Sequence, residues 1–188
     1  MKSNNGTSEK IITTALNLFS EKGYYSTTIK QIAQEAGFNE LTIFRHFGSK
    51  AQLFQAATEY TVITSKVDDI FIGVENLPFD KSMDIITKRM YNLYIENTKL
   101  YKIQMKLSDD EDFIRLKLSR KFIEVLEIYF RGLKLKGEIT GEPKIMAVTL
   151  INSVLGAFTI EILTGGISEF SWEELIREHT KQFTKLYG

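Results

Sequence analysis

The 188-residue chain has no cysteine and only two prolines, Pro78 and Pro143. Missing thiols exclude disulfides, thiolate metal sites, iron–sulfur clusters and cysteine nucleophiles together, and they suit a reducing compartment. An excess of charge is missing too, since 24 Lys and Arg stand against 24 Asp and Glu. A polycation that coats nucleic acid or anionic lipid is thereby excluded, although a local basic surface is not. The most apolar segment, residues 145–163, is interrupted by Thr149, Asn152, Ser153, Thr159 and Glu161. It reads as a buried helix, and no membrane span is expected. Residues 1–7 are polar and lack the apolar stretch of an export signal, so the expected location is the cytoplasm. Histidine is scarce, with His46 and His179 alone, and no glycine-rich phosphate loop, nucleophile elbow or carboxylate–histidine spacing is present. An enzyme is not expected, nor any catalytic residue, metal or cofactor.

What is there is helix-forming. Hydrophobic residues make up 43% of the chain and charged ones 26%, enough apolar mass for a core. Thr28-x-x-Gln31, Ser49-x-x-Gln52, Ser108-x-x-Glu111 and Ser171-x-x-Glu174 have capping-box form, in which a hydroxyl and a residue three later satisfy orphan backbone donors. Pro143 sits where a first-turn proline begins a helix, and Gly23, Gly137 and Gly165-Gly166 follow periodic apolar segments as helix ends do. No sustained two-residue alternation occurs, and the fold class expected is all-α. Helices are expected over residues 8–22, 28–36, 39–47, 50 to beyond 60, 80–97, 98–107, 108–136, 143–164 and 171–187.

Residues 27–50 carry the most information. Two short helices flank Gly37-Phe38-Asn39, in which glycine allows positive φ, Phe38 plugs a core and Asn39 caps the next helix. This is a helix-turn-helix pattern at about residues 28–47, whose second helix enters a DNA major groove. Ile43 and Phe47, four apart, face inward and leave Glu40, Leu41, Thr42, Phe44 and Arg45 outward. An outward Leu and Phe beside Thr and Arg suit a face that meets bases and sugars.

The run Ile11-Ile12 through Phe19, then Gly23-Tyr24-Tyr25-Ser26-Thr27-Thr28, Ile32-Ala33-Gln34-Glu35-Ala36-Gly37-Phe38 and Thr42-Ile43-Phe44-Arg45-His46-Phe47-Gly48-Ser49-Lys50 resembles the TetR family of bacterial transcriptional regulators. The resemblance implies a DNA-binding domain at residues 1–50 and an effector-binding and dimerisation domain at residues 51–188. It also implies a homodimeric repressor released from an inverted-repeat operator in double-stranded DNA by a small effector. Carried over by position, Thr27 and Thr28 contact the DNA backbone, Asn39, Glu40, Leu41, Thr42 and Arg45 approach base edges, and Phe44, His46 and Lys50 face phosphate. Phe44 stands where the family often has tyrosine, which removes a hydroxyl-to-phosphate bond. Leu41 stands where a small residue is common, which replaces close backbone approach by contact with a thymine methyl. Glu40 either accepts from a cytosine amino group or repels phosphate. Residues 1–50 hold six Lys and Arg against four acids, a balance that fits DNA binding and random scatter almost equally.

In the larger domain, residues 143–164 are apolar on more than one side. Leu150, Ile151, Val154, Leu155, Phe158 and Ile162 form one stripe, and Ile145, Val148 and Ile160 lie elsewhere. The last helix offers a narrower stripe of Trp172, Leu175, Ile176, His179, Phe183 and Leu186. Family architecture implies that these two helices pair with their symmetry mates in a four-helix bundle; the alternative is that both fill the subunit's own core. Candidate effector residues are Phe71, Met90, Tyr91, Tyr94, Tyr101, Met105, Phe113, Phe122, Phe130 and Phe158, a set that suits a largely apolar ligand and equally an aromatic core. Glu161, between Ile160 and Ile162, meets a cationic effector or forms a salt bridge at the dimer edge. Asp109, Asp110, Glu111 and Asp112 are read as first-turn acids that stabilise a helix start. Two other readings are a helical adaptor for proteins and an effector-independent DNA-binding protein.

Overall fold

The computed structural model describes residues 3–105, 117–165 and 171–188. Their regular elements are α1 (Ser3–Lys22), α2 (Ile29–Ala36), α3 (Glu40–Phe47), α4 (Lys50–Thr64), a 3-10 helix (Val67–Phe71), α5 (Phe79–Glu96), α6 (Thr98–Met105), α7 (Lys117–Leu135), α8 (Pro143–Thr164) and α9 (Trp172–Tyr187). No strand occurs among the described residues. The all-α expectation holds. Predicted box residues cap α2 and α9 reciprocally, through Thr28 with Gln31 and Ser171 with Glu174, while at α4 Ser49 accepts the Gln52 N–H at 3.1 Å. Pro143 opens α8, and Gly165 closes it at φ 73°. The Ser108–Glu111 pair and the acidic run 109–112 lie outside the described residues.

Two compact units emerge, one of α1–α4 with α6, the other of the 3-10 helix, α5, α7, α8 and α9. In the first, Ile11, Ala15, Phe19, Ile32, Ala36, Ile43, Leu53, Phe54 and Ala57 share one core, and Ile103 of α6 joins it with no exposure. Each Ile, Leu or Phe among them contributes about 1.5–3 kcal/mol on leaving water. A boundary at residue 50 therefore divides a single core. Fifty residues bury too small a fraction of their surface to stand alone, and α4 and α6 complete it. The Tyr60 hydroxyl on α4 donates to Glu9 Oε1 at 2.6 Å, and Lys99 on α6 donates to Asn17 Oδ1 at 2.7 Å. The chain passes between units after Ser65, after Glu96 and again by Leu118. At the first crossing Lys66 takes a left-handed φ of 48°, which separates α4 from the 3-10 helix.

In the second unit α5, α8 and α9 pack pairwise. Met83, Ile86, Met90, Tyr91 and Tyr94 of α5 are buried, as are Met146, Ala147, Leu150, Ile151, Val154 and Phe158 of α8. Arg89 closes the end of the 3-10 helix by donating to the Ile70 and Ile72 carbonyls at 3.0 and 2.6 Å. By length and composition alone α8 is apolar enough to cross a membrane. Its buried face instead packs within this helical unit, against α5 and α9.

Candidate functional site

Helix α3 is positioned by two turns that the sequence specifies locally. Gly37 adopts φ 73°, a left-handed cap open to glycine at no steric cost, and the following Phe38 N–H bonds back to the Ala33 carbonyl at 2.9 Å. Phe38 then packs at the edge of the core. Asn39 caps α3 by accepting the Thr42 N–H at 2.7 Å and the Thr42 hydroxyl at 2.8 Å. With Ile43 1% exposed and Phe47 against the core, the opposite side of α3 is open: Leu41 is 66% exposed and Phe44 45%. Glu40 and Arg45 are exposed beside them, and Thr42 is half-exposed. Apolar side chains of that size held out by a short, doubly capped helix lack a packing role in the subunit.

The flanking residues are tied to the same scaffold. His46 Nδ1 lies 2.8 Å from the Ser8 hydroxyl on α1. The Lys50 ammonium sits 4.3 Å from the Tyr24 ring and donates to the Tyr25 carbonyl at 3.5 Å. Thr28 is exposed at the positive end of α2, where its hydroxyl accepts the Gln31 N–H. Thr27 differs from its expected role. It is fully buried, and its hydroxyl donates to the Gly23 and Leu18 carbonyls at 2.8 and 3.2 Å. That side chain locks the α1–α2 turn and cannot reach phosphate. Tyr25, which sequence reasoning passed over, is 57% exposed and its backbone holds Lys50. The only local signal for it was a second aromatic in the Tyr24-Tyr25 pair, where one ring suffices for the core.

The predicted effector residues do not form one cluster. Tyr91, Tyr94, Phe122 and Phe158 join through ring contacts in the second unit, with Tyr94 stacked on Phe158 at 5.5 Å and its hydroxyl 2.9 Å from Ser119 Oγ. Met90 is fully buried on the same helix. Phe130 belongs to another group, with Phe79 and Phe183, and Phe71 stacks on Tyr129. Tyr101 and Met105 belong to α6 of the first unit, Met105 being 54% exposed. Phe113 lies outside the described residues. Tyr91 stands apart chemically. Its ring lies flat on Trp172 at 3.8 Å, and its buried hydroxyl has no hydrogen-bond partner among the described residues. An orphaned buried hydroxyl costs about 1–3 kcal/mol. Burial first, and then the charges of Glu161 and Glu173, push its pKa up to about 12.

The dimer stripe needs correction. Leu150, Ile151, Val154, Phe158, Ile176 and Phe183 are buried within the subunit, at 0–6% exposure, and offer nothing to a second copy. Several of them line a narrow cleft with Thr87, Ser153, His179 and Thr180 that holds about 10 Å³, room for one water. Leu155, Ile162, Trp172 and Leu175 are half-buried, and His179 is exposed. The open apolar residues of α8 are Ile145, Val148, Ile160 and Leu163, on the reverse side, with Leu186 on α9.

Residues 11–57 match the family described as bacterial regulatory proteins, tetR family. Curated HTH-type transcriptional regulators are 37–54% identical over 41–54 residues, and each alignment takes in only 18–27% of the relative's own length. One is the Staphylococcus aureus biofilm operon icaADBC negative transcriptional regulator IcaR, 37% identical over 51 residues, 27% of each chain. Over the whole length the fold resembles a TetR-family regulator structure from Mesorhizobium loti, with TM-score 0.75, 23% identity and full coverage of both chains. It also resembles the SmeT–triclosan complex, SmeT being the repressor of a Stenotrophomonas maltophilia multidrug efflux pump. There the TM-score is 0.74 and the identity 19%, over 97% of this chain and 91% of that one. Residues 11–57 thus match the tetR-family model, and over its whole length the all-helical chain has the fold of the TetR-family regulator structures it resembles.

Proposed function

We propose that the chain is a sequence-specific DNA-binding transcriptional repressor that acts as a homodimer in the cytoplasm and leaves its operator when a small effector binds. The observation that carries this reading is the open face of α3, where Leu41 and Phe44 stand exposed on a helix held by Gly37 and Asn39. On a protein surface that pairing is costly without a partner, and the floor of a major groove, with thymine methyls and sugars, supplies one. Thr42 and Arg45 read base edges there. Lys50, Thr28 and the free Nε2 of His46 hold phosphates and set the register. The match of residues 11–57 and the repressor roles of IcaR and SmeT support the direction of control.

A symmetric dimer presents two such helices at a spacing near one DNA turn, roughly 34 Å or a multiple of it. The dimer surface in this reading is the open side of α8 with Ile145, Val148 and Ile160, continued by Leu186 of α9. Two helices carry the effector's signal: α4, and α6, which follows α5 directly and places Ile103 in the reading-head core. The SmeT–triclosan complex supports a small-molecule effector. A regulator of this kind performs no chemistry, and no residue is assigned a catalytic role. The test is retention of the DNA flanking the chain's own gene against an unrelated duplex of equal length. The reading requires selective, salt-sensitive retention of the flanking DNA, and equal retention of both duplexes contradicts it.

A further inference from the structure

We propose that the Tyr91 hydroxyl, the Glu161 and Glu173 carboxylates and the rings of Phe158 and Trp172 form a site for a small organic cation, a protonated amine or amidinium on a flat apolar body. The proposal rests on reading the chain as an effector-responsive regulator and names the chemical class of the effector.

Tyr91 is 1% exposed, yet its hydroxyl bonds to nothing among the described residues. The other buried hydroxyls of this unit are matched: Tyr94 with Ser119, Thr87 with Thr180, Ser82 with the Val74 carbonyl. Buried polar groups are almost always paired, so the exception marks a place where the partner comes from outside. Its surroundings say which kind. Trp172 lies flat on the Tyr91 ring at 3.8 Å and 7°, and Phe158 meets it edge-on at 6.2 Å and 81°. Trp172 is half-buried, and an aromatic ring of this kind accepts a flat apolar body and attracts a cation to its face.

The two helices that bring these rings also bring charge. Glu161 follows Phe158 by three residues on α8, and Glu173 follows Trp172 on α9. Neither the half-buried Glu161 nor the exposed Glu173 makes a salt bridge among the described residues, and burial first, then the charges of these two carboxylates, raise the pKa of the Tyr91 hydroxyl to about 12. A neutral ligand would satisfy the hydroxyl without answering the negative charge of the half-buried Glu161 and the exposed Glu173; an anion would be repelled. A cationic N–H group answers all three, donating to the hydroxyl oxygen and the carboxylates.

Trp172 is the only tryptophan, so tryptophan emission, excited selectively over the eight tyrosines, reports this site. Benzamidine, benzamide and benzoate share one shape and differ in charge. Benzamidine should change Trp172 emission saturably and bind about tenfold or more tighter than either analogue. The double variant Glu161→Gln, Glu173→Gln should erase that preference, and Tyr91→Phe should weaken benzamidine several-fold while the variant keeps its helical circular dichroism. Equal binding of benzamide, full affinity in the carboxylate variant, or no saturation by benzamidine would overturn the cation site. Duplex retention is measured on the same sample: retention without benzamidine binding removes the cation site alone. Benzamidine binding without any selective DNA retention supports the site and removes the regulator reading.

Discussion

The Lys99 ammonium on α6 donates to the Asn17 side-chain oxygen on α1 at 2.7 Å. Lys99 lies only five residues beyond Tyr94, on the helix that follows α5 without a loop, so an element next in sequence to the candidate effector residues is pinned to the frame of the reading head. Lys99→Ala should loosen α6 by about 1 kcal/mol, the contribution of one such hydrogen bond. Amide exchange in α6 should quicken about fivefold while α2 and α3 keep their rates. Unchanged exchange in α6 would show that the buried Leu100 and Ile103 hold the helix without Lys99.

Lys50 and Arg45 should separate by the kind of contact each makes. Lys50→Ala is expected to weaken selective and random duplexes alike and to lower the salt slope by about one. Arg45→Ala should change preference at one or two base pairs, at a cost of about 1–3 kcal/mol if a bidentate contact is lost. Binding isotherms over a salt series, with both duplexes, distinguish the two. A Lys50 variant with its full salt slope contradicts the phosphate role.

The open side of α8 should hold the dimer. Val148→Arg with Ile160→Arg places two charges on exposed positions and leaves the buried side of the helix untouched. Sedimentation should shift from dimer to monomer with circular dichroism unchanged, and operator affinity should fall by about tenfold or more once the two half-sites are no longer linked. Leu150→Ala is the contrasting change: it empties a buried position and should destabilise the fold by about 2–5 kcal/mol. A variant pair that stays dimeric would place the interface elsewhere.

Tyr91→Phe should stabilise the protein at neutral pH by about 1 kcal/mol, because it removes a buried hydroxyl that has no partner among the described residues. The advantage should grow with alkalinity. In the unfolded chain the Tyr91 hydroxyl ionises near its ordinary value of 10.0, whereas in the folded chain it resists until about 12. Stability contributed by the raised pKa is therefore fully present below pH 10 and lost as pH rises toward 12, by up to about 2 kcal/mol. Denaturation of both proteins between pH 8 and 12 checks this, and parallel curves would contradict it.

Features written in adjacent residues were legible in the sequence. Thr28 with Gln31, Asn39, Pro143 and Ser171 with Glu174 mark their helix starts because a cap closes within one turn. The inward place of Ile43 also follows, from four-residue spacing alone. The inner side of α8 did not follow. Apolar residues surround that helix, so periodicity gives no direction, and packing against α5 and α9 decides which stripe is buried. Thr27 was misplaced because its hydroxyl is consumed by the Gly23 and Leu18 carbonyls, a closure made only when α1 and α2 meet. The membership of α6 in the first unit depends on Ile103 meeting residues of α1, far away in the sequence.

Selection of binding sites from a random duplex library tests the central claim most directly. Sequence-specific reading by two symmetric copies predicts one enriched inverted repeat whose half-site centres lie about 10–10.5 base pairs apart, or a multiple of that. It also predicts that the Arg45→Ala variant changes the enriched half-site. A library that emerges without an enriched repeat, or the same motif from both proteins, would contradict the account.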